Sequence, residues 1–272
     1  MLQWSQKIDN SIMIHQLTEI NPNAKIGKDV EIGPFCVIDD DVEIGDGCKL
    51  ISHVHVFPGT RLGKNNRIFP GASIGAVPQD LKFVGEYTTL EVGDNNTIRE
   101  CVTLNRGTAS KGKTVIGSDN LIMAYCHIGH DCVLGNKIVM SNATQVAGEV
   151  HIDDWAVIGG GTCIPQFSMI GKHSMTSGMS GVNKDVPPFA YAGRTPIQYC
   201  GINIVGMTRR GFKPEQIEAV KNCYRIIYQS GLNLTKAVEK IKEEIPQSEE
   251  RDEILNFIAA SQHGILKGPK LD

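Results

Sequence analysis

The sequence predicts a solenoid of parallel β-strands built from hexapeptide repeats, a parallel β-helix, followed by a small α-helical domain. Three observations carry this expectation. First, every sixth residue from Ile14 is aliphatic: Ile20, Ile26, Ile32, Ile38, Ile44, Leu50, Val56, Leu62, Ile68 and Ile74 follow without a miss. The same register continues to Val182, interrupted only at Asp80, Glu86, Ser110 and Thr176. Neither the 3.6-residue period of a helix nor the 2.0 of an ordinary strand gives a strict six, whereas a coil whose short strands each send one large side chain inward does. Second, the slot two residues before the ladder holds small or medium residues: Ala24, Val30, Cys36, Val42, Cys48, Val54, Thr60, Ala72, Cys126, Cys132, Thr144 and Ala156. They suit an interior too narrow for two large layers. Third, the pattern stops at Asp185-Val186-Pro187-Pro188, where proline removes backbone donors, and helical spacing takes over.

Taken in order, residues 1–13 are a polar lead-in that the ladder does not reach. Regular coils run from 14 to 74. A polar excursion near 76–88 and a Gly-, Ser- and Lys-rich one at 107–113 read as loops projecting from the solenoid wall, where binding groups commonly sit. Glycines such as Gly27, Gly33, Gly45, Gly63, Gly117, Gly129 and Gly135 directly follow the ladder residue, where a corner would need a permissive backbone. The solenoid is expected over 1–189 and the helical domain over 190–272. Within the latter, Pro214 opens one helix carrying Ile217, Val220, Ile226 and Ile227; Leu234, Ala237, Val238 and Ile241 give a second apolar face, and Ile254, Leu255, Ile258 and Ala259 a third.

A net charge of −3 and a pI near 6.2 argue against general nucleic-acid binding. No run of eighteen apolar residues suggests a membrane span, and Met1 to Asn10 is too polar for a signal-peptide core, so the expected compartment is the cytoplasm. Of eight cysteines, Cys36, Cys48, Cys126 and Cys132 fall in the small inward slot, as core filler would, and no Cys-x-x-Cys pair occurs.

The chemistry concentrates in Ala124-Tyr125-Cys126-His127-Ile128-Gly129-His130-Asp131. Three six-residue sides make a coil of about eighteen residues, which stacks His130 under Gly148, Gly148 under Gln166, and His127 under Gln145. One wall would then carry an imidazole, a bare backbone amide and a carboxamide in successive layers. That set suits acyl transfer to a hydroxyl: a base for the proton and an amide for the oxyanion. Asp131 can orient His130 only if the pair lies at a coil corner, because adjacent residues on a flat strand face opposite ways. His15, His53, His55, His151, His173 and His263 read as outward-facing polar residues of the solenoid wall. A zinc site of the kind found in γ-type carbonic anhydrases needs a third, stacked histidine, which the sequence lacks, so no metal is expected.

At Pro78-Gln79-Asp80-Leu81-Lys82, Ile98-Arg99-Glu100, Asn105-Arg106-Gly107-Thr108, His127-Ile128-Gly129-His130-Asp131, Gln166-Phe167, Asp185-Val186-Pro187-Pro188, Gly201-Ile202-Asn203 and Arg209-Arg210-Gly211-Phe212 the chain resembles the bacterial UDP-N-acetylglucosamine O-acyltransferases of lipid A synthesis. The resemblance covers nearly the whole length. It implies a left-handed β-helix, a homotrimer with sites between subunits, and transfer of an (R)-3-hydroxyacyl chain from acyl carrier protein to the sugar 3-hydroxyl. No cofactor of the chain's own is implied, since phosphopantetheine arrives on the carrier. By the matched motifs His130 would be the general base, Asp131 its orienter and Gly148 the oxyanion amide. Gln79, Asp80, Lys82 and His127 would hold the sugar and its neighbouring groups; Gln166, Arg194, Asn203, Arg209 and Arg210 would face the nucleotide; Gly178 would lie where acyl length is measured.

Three departures from the commoner family pattern stand out. Pro165 replaces the histidine of His-Gln-Phe, Glu149 the histidine of Ala-Gly-His, and Arg194 lies where a phosphate-contacting histidine is common. Two rivals make different predictions. The N-acyltransferase of the same pathway carries a uridine-binding domain before its solenoid, and only about thirteen residues precede Ile14 here. A non-catalytic scaffold would show no turnover and no specific loss on replacing His130. For the acidic carrier, Arg209, Arg210, Lys213, Lys221 and Arg225 form a candidate basic patch.

Overall fold

The computed structural model describes residues 4–7 and 13–268. Short strands, mostly of two residues, turn a corner about every six residues and build three walls. Sheet A has twelve strands, and sheets B and C have eight each. The chain visits them in the order A, B, C, as in Glu31–Ile32, Val37–Ile38 and Glu43–Ile44. This is the parallel β-helix that the repeat predicts, with the left hand that the family resemblance implies. Register partners are eighteen residues apart where coils are regular, Glu31 with Lys49 and His127 with Gln145. Across the first loop Arg67 pairs with Thr97, and across the second Thr97 pairs with Leu121. The two excursions therefore add twelve and six residues and return the ladder in phase.

The interior is the predicted one. Ile32, Val56, Ile68, Ile98, Leu104, Ile128, Val146 and Ile170 are fully buried, and Cys36, Cys48, Cys126 and Cys132 fill the narrow slot beside them. Apolar burial at every coil, at roughly 1.5–3 kcal/mol per aliphatic side chain, is what holds so extended a wall together. The glycines after the ladder residue are there for a different reason from the expected one. The left-handed corner falls two residues later, at Asp29, Phe35, Asp41, Tyr125, Asp131, Glu149 and Trp155 among others, with φ of 49 to 63°. The glycine itself lies against the next coil: a Cβ on Gly33 would stand 1.8 Å from the Ile51 carbonyl oxygen, and on Gly45 2.5 Å from that of Gly63. Close backbone approach, not backbone freedom, selects glycine at these positions, whereas Gly75, with φ of 84°, does need the permissive backbone that was expected.

Of the lead-in, Trp4–Lys7 forms a strand antiparallel to Met13–His15; the remainder lies outside the described residues. At the other end the structure differs from the expected division at 189. Ala190–Gly193 pairs parallel with Met175–Thr176 and turns back into Gln198–Ile202, so the sheet runs thirteen residues past Phe189 before helices begin. Pro187-Pro188 interrupts the coil without ending the sheet, because the chain re-enters sheet A at once. Four helices follow: α1 (Ile204–Arg209), α2 (Pro214–Gln229), α3 (Leu234–Glu244) and α4 (Glu249–Ala260). Asn233 and Ser248 cap α3 and α4 by accepting from Lys236 N and Arg251 N. Val220, Cys223, Tyr224, Ala237, Ile241, Ile254 and Leu255 make a second core. In α4 the buried aromatic is Phe257, whereas Ala259 is exposed. The Tyr224 hydroxyl donates to the Pro188 carbonyl, and Ser261 Oγ donates to Asp185 Oδ2 at 2.5 Å, fastening the helices to the last coil. Among the described residues no helix is long and apolar enough to cross a membrane.

Candidate active site

Both loops leave the prism at the edge where sheet B turns into sheet C. The first departs after Ser73–Ala76 and returns at Thr89–Val92; the second departs after Thr103–Asn105 and returns at Lys113–Ile116. The next corner on this edge is His130-Asp131, between His127–Ile128 and Val133–Leu134. Asp131 has φ of +60°, and this left-handed corner turns two neighbouring side chains onto one side. His130 Nδ1 lies 2.8 Å from Asp131 Oδ2. The Asp131 side chain is fully buried and that of His130 is 11% exposed.

Asp131 is held more firmly than the sequence suggests. Thr108, in the second loop, donates to it twice, from its amide to Oδ1 at 2.9 Å and from its hydroxyl to Oδ2 at 2.6 Å. Its own N–H donates to Thr114 Oγ1 at 2.8 Å. A buried carboxylate with these donors is an acceptor, so the Nδ1 facing it carries the proton, and in the neutral ring Nε2 is the nitrogen left with the lone pair. Thr108 was not among the expected site residues. The pairing spans twenty-three positions and crosses an inserted loop, so no short-range spacing signals it; its place in Asn105-Arg106-Gly107-Thr108 was the only trace.

Gly148 stacks directly over this imidazole, as the eighteen-residue coil predicts. A Cβ there would lie 2.5 Å from both Cε1 and Nε2 of His130. Among the described residues the Gly148 N–H donates to no protein acceptor, while its carbonyl accepts from Phe167 N. Gln166 lies one coil further on and is exposed. From the first loop, Asp80 Oδ2 comes to 3.9 Å of His130 Nε2, too far for a direct hydrogen bond but close enough for both to share one hydroxyl. Gln79 and Lys82 are exposed in the same loop. Tyr87 anchors it by donating to Asp41 Oδ2 at 2.9 Å, and the Glu86 carboxylate ties it to the second loop by accepting from Val84 N and Ala109 N.

His127 faces outward on sheet B, its Nδ1 2.7 Å from Thr103 Oγ1. Burial first, and then the neighbouring His130, lowers its pKa and favours the neutral ring. With Gln145, Val146, Ala147, Ile164 and Pro165 it lines a largely apolar groove of about 500 Å³ running up this wall.

The other expected residues do not join His130 within one chain. Gly178 is exposed at the A–B edge, one coil above Gly160. Arg194 is exposed in the turn after Ala190–Gly193. Asn203 is buried and structurally engaged: it caps α1 by accepting from Gly206 N at 3.0 Å and donates to the His173 carbonyl at 3.0 Å. Arg209 is exposed on the last turn of α1, and Arg210 lies at the C–A edge with its guanidinium 5.2 Å from the Trp155 ring centre.

His173, expected to be an outward-facing polar residue, is instead buried at the centre of that last cluster. Its ring stacks between Trp155 and Phe189, and Arg210 Nη1 donates to its Nδ1 at 3.2 Å, which requires a lone pair on that nitrogen. Burial, with Arg210 and Lys172 adding to it, lowers its pKa from 6.5 to about 4. The folded chain thus leaves His173 neutral while the unfolded chain protonates it, so stability is expected to fall as pH drops from about 6.5 to about 4, by on the order of 2 kcal/mol. Thermal melts across that range should show the slope, and His173→Gln should flatten it.

Among the described residues no three His, Cys, Asp or Glu side chains gather as a metal-ligand set. Residues 23–58 match the bacterial transferase hexapeptide model of six repeats, and residues 185–266 match the second domain of the UDP-N-acetylglucosamine O-acyltransferases. The acyl-(acyl-carrier-protein)--UDP-N-acetylglucosamine O-acyltransferase of Janthinobacterium sp. (strain Marseille) is 47% identical over 199 residues, 71% of this chain and 76% of that protein. The chain belongs to this O-acyltransferase family. Solved structures agree over both regions. The UDP-N-acetylglucosamine acyltransferase of Bacteroides fragilis superposes with a TM-score of 0.92 at 50% identity, covering 94% of this chain and all of that one. Another family member, from Francisella novicida, gives 0.92 at 42% identity over 95% of each chain.

Proposed function

We propose that the chain transfers an (R)-3-hydroxyacyl group from acyl carrier protein to the 3-hydroxyl of UDP-N-acetylglucosamine, the first step of lipid A biosynthesis, in the cytoplasm, with His130 as general base. Family membership supports the reaction class. The observation that carries the residue roles is His130, its Nδ1 committed to buried Asp131 and its Nε2 lying under the bare Gly148 backbone. The sugar hydroxyl oxygen attacks the thioester carbonyl while Nε2 takes its proton. The resulting oxyanion accepts from the unpartnered Gly148 N–H. The intermediate collapses with cleavage of the C–S bond, and the imidazolium returns the proton to the departing phosphopantetheine thiolate. Neither a metal nor a cofactor of the chain's own enters these steps.

Asp80, with Lys82, Gln79 and His127, serves the sugar from the same edge. The remaining residues, Gln166, Arg194, Arg209 and Arg210 toward the nucleotide and Gly178 toward the acyl terminus, lie on all three edges, while Asn203, committed to α1 and the His173 carbonyl, holds that end of the chain in place. A homotrimer with sites between subunits accounts for this dispersion. A half-buried apolar strip on the outer face of sheet A, Leu121, Val139, Val157 and Met175 in register, supports such a contact.

Purified chain, treated with chelator, is expected to form product from UDP-N-acetylglucosamine and a series of (R)-3-hydroxyacyl carrier proteins, with one preferred length. Absence of product at every length would overturn the assignment.

A further inference from the structure

We infer that Thr108 is a positioning residue for the reaction, holding Asp131 as an acceptor so that His130 presents an unprotonated Nε2 to the substrate. The inference rests on the reading of His130 as the base and adds a residue to it. Three donors converge on the Asp131 carboxylate, and Thr108 supplies two of them. Its hydroxyl and His130 Nδ1 share the same oxygen, Oδ2, at 2.6 and 2.8 Å. The Thr108 hydroxyl therefore withdraws charge from the atom that faces the imidazole. With the carboxylate fully buried, water cannot replace a lost donor without opening the corner.

Thr108 is itself fixed. It is 6% exposed, its carbonyl accepts from Gly112 N at 2.7 Å, and its hydroxyl oxygen accepts from Ser110 N at 3.2 Å. The adjacent Ala109 N–H donates to Glu86 of the first loop. The second loop is thus a brace running from the Asp80 loop to the His-Asp corner. The charged and titratable groups around His130 are Asp131, Asp80 at 3.9 Å, His127 on the same coil, and Glu149 one coil above, whose N–H donates to the His130 carbonyl.

Thr108→Val keeps the backbone donor and removes the hydroxyl. More charge then remains on Oδ2, the imidazolium form of His130 is favoured, and more of the base is protonated at a given pH. The expected result is a fall in kcat of roughly tenfold at neutral pH with KM little changed, and a shift of the acid limb of the kcat/KM profile to higher pH. Thr108→Ser should restore both the rate and the limb. Nitrogen chemical shifts of labelled histidine, recorded against pH in the valine variant, give a readout independent of turnover. A valine variant with the wild-type profile, or one whose lower rate comes with an unmoved limb and unmoved His130 titration, would overturn the inference. His130→Ala, assayed alongside, separates the two levels. If it turns over normally, the base assignment has failed; if it is inactive while Thr108→Val behaves as wild type, only the role of Thr108 has failed.

Discussion

Replacing His130 by alanine is expected to lower kcat by about 10²–10⁴-fold while leaving the fold and thermal stability close to those of the native chain. The ring's hydrogen-bond partner is Asp131, which keeps both Thr108 donors when the ring is removed. The corner therefore survives without the base. Steady-state rates together with circular dichroism check this directly, and native turnover in the variant would remove His130 from the mechanism.

Gly148→Ala is expected to be nearly as damaging by a different route. The added methyl would lie 2.5 Å from Cε1 and Nε2 of His130, so the ring must swing away from Asp131 or the coils must part. Either outcome displaces the proton-accepting nitrogen from beneath the amide, and a shift of about 1 Å at this point costs on the order of 10²-fold in rate. Because the ring is the end of a single side chain rather than backbone, it yields first, and melting temperature is expected to change little. Loss of kcat with retained stability supports the stacking. An active alanine variant would mean that the Gly148 surface faces no catalytic group.

Both effects were legible in the sequence, since an unbroken six-residue register fixes which residues lie one coil apart. His130 falls beneath Gly148 by counting alone, and the distance of His130 and Asp131 past Ile128 allows the corner that joins them. Contacts made by inserted loops were not legible in the same way. Thr108 reaches Asp131 because of how a loop folds back, and Asp80 reaches the imidazole from a loop with no periodicity of its own. Most glycines that follow a ladder residue were located correctly and explained wrongly, because what a Cβ would strike belongs to the next coil. The hairpin of Ala190–Gly193 and Gln198–Ile202 was hidden by Pro187-Pro188, which reads locally as an end. His173 was passed over since its aromatic neighbours come from Trp155, Phe189 and Phe212, on separate segments.

The six-residue unit divides its labour. Its ladder residue and the slot two before it face inward and hold the fold, while the second and third residues after the ladder sit at the corner, as His130, Asp131, Gly148, Glu149 and Gln166 do. Selection can therefore act on the two sets almost independently. Corner residues can be exchanged, and whole loops added at an edge, without asking the interior to change. A chain built this way can acquire new chemistry one corner at a time on a scaffold that has already been settled.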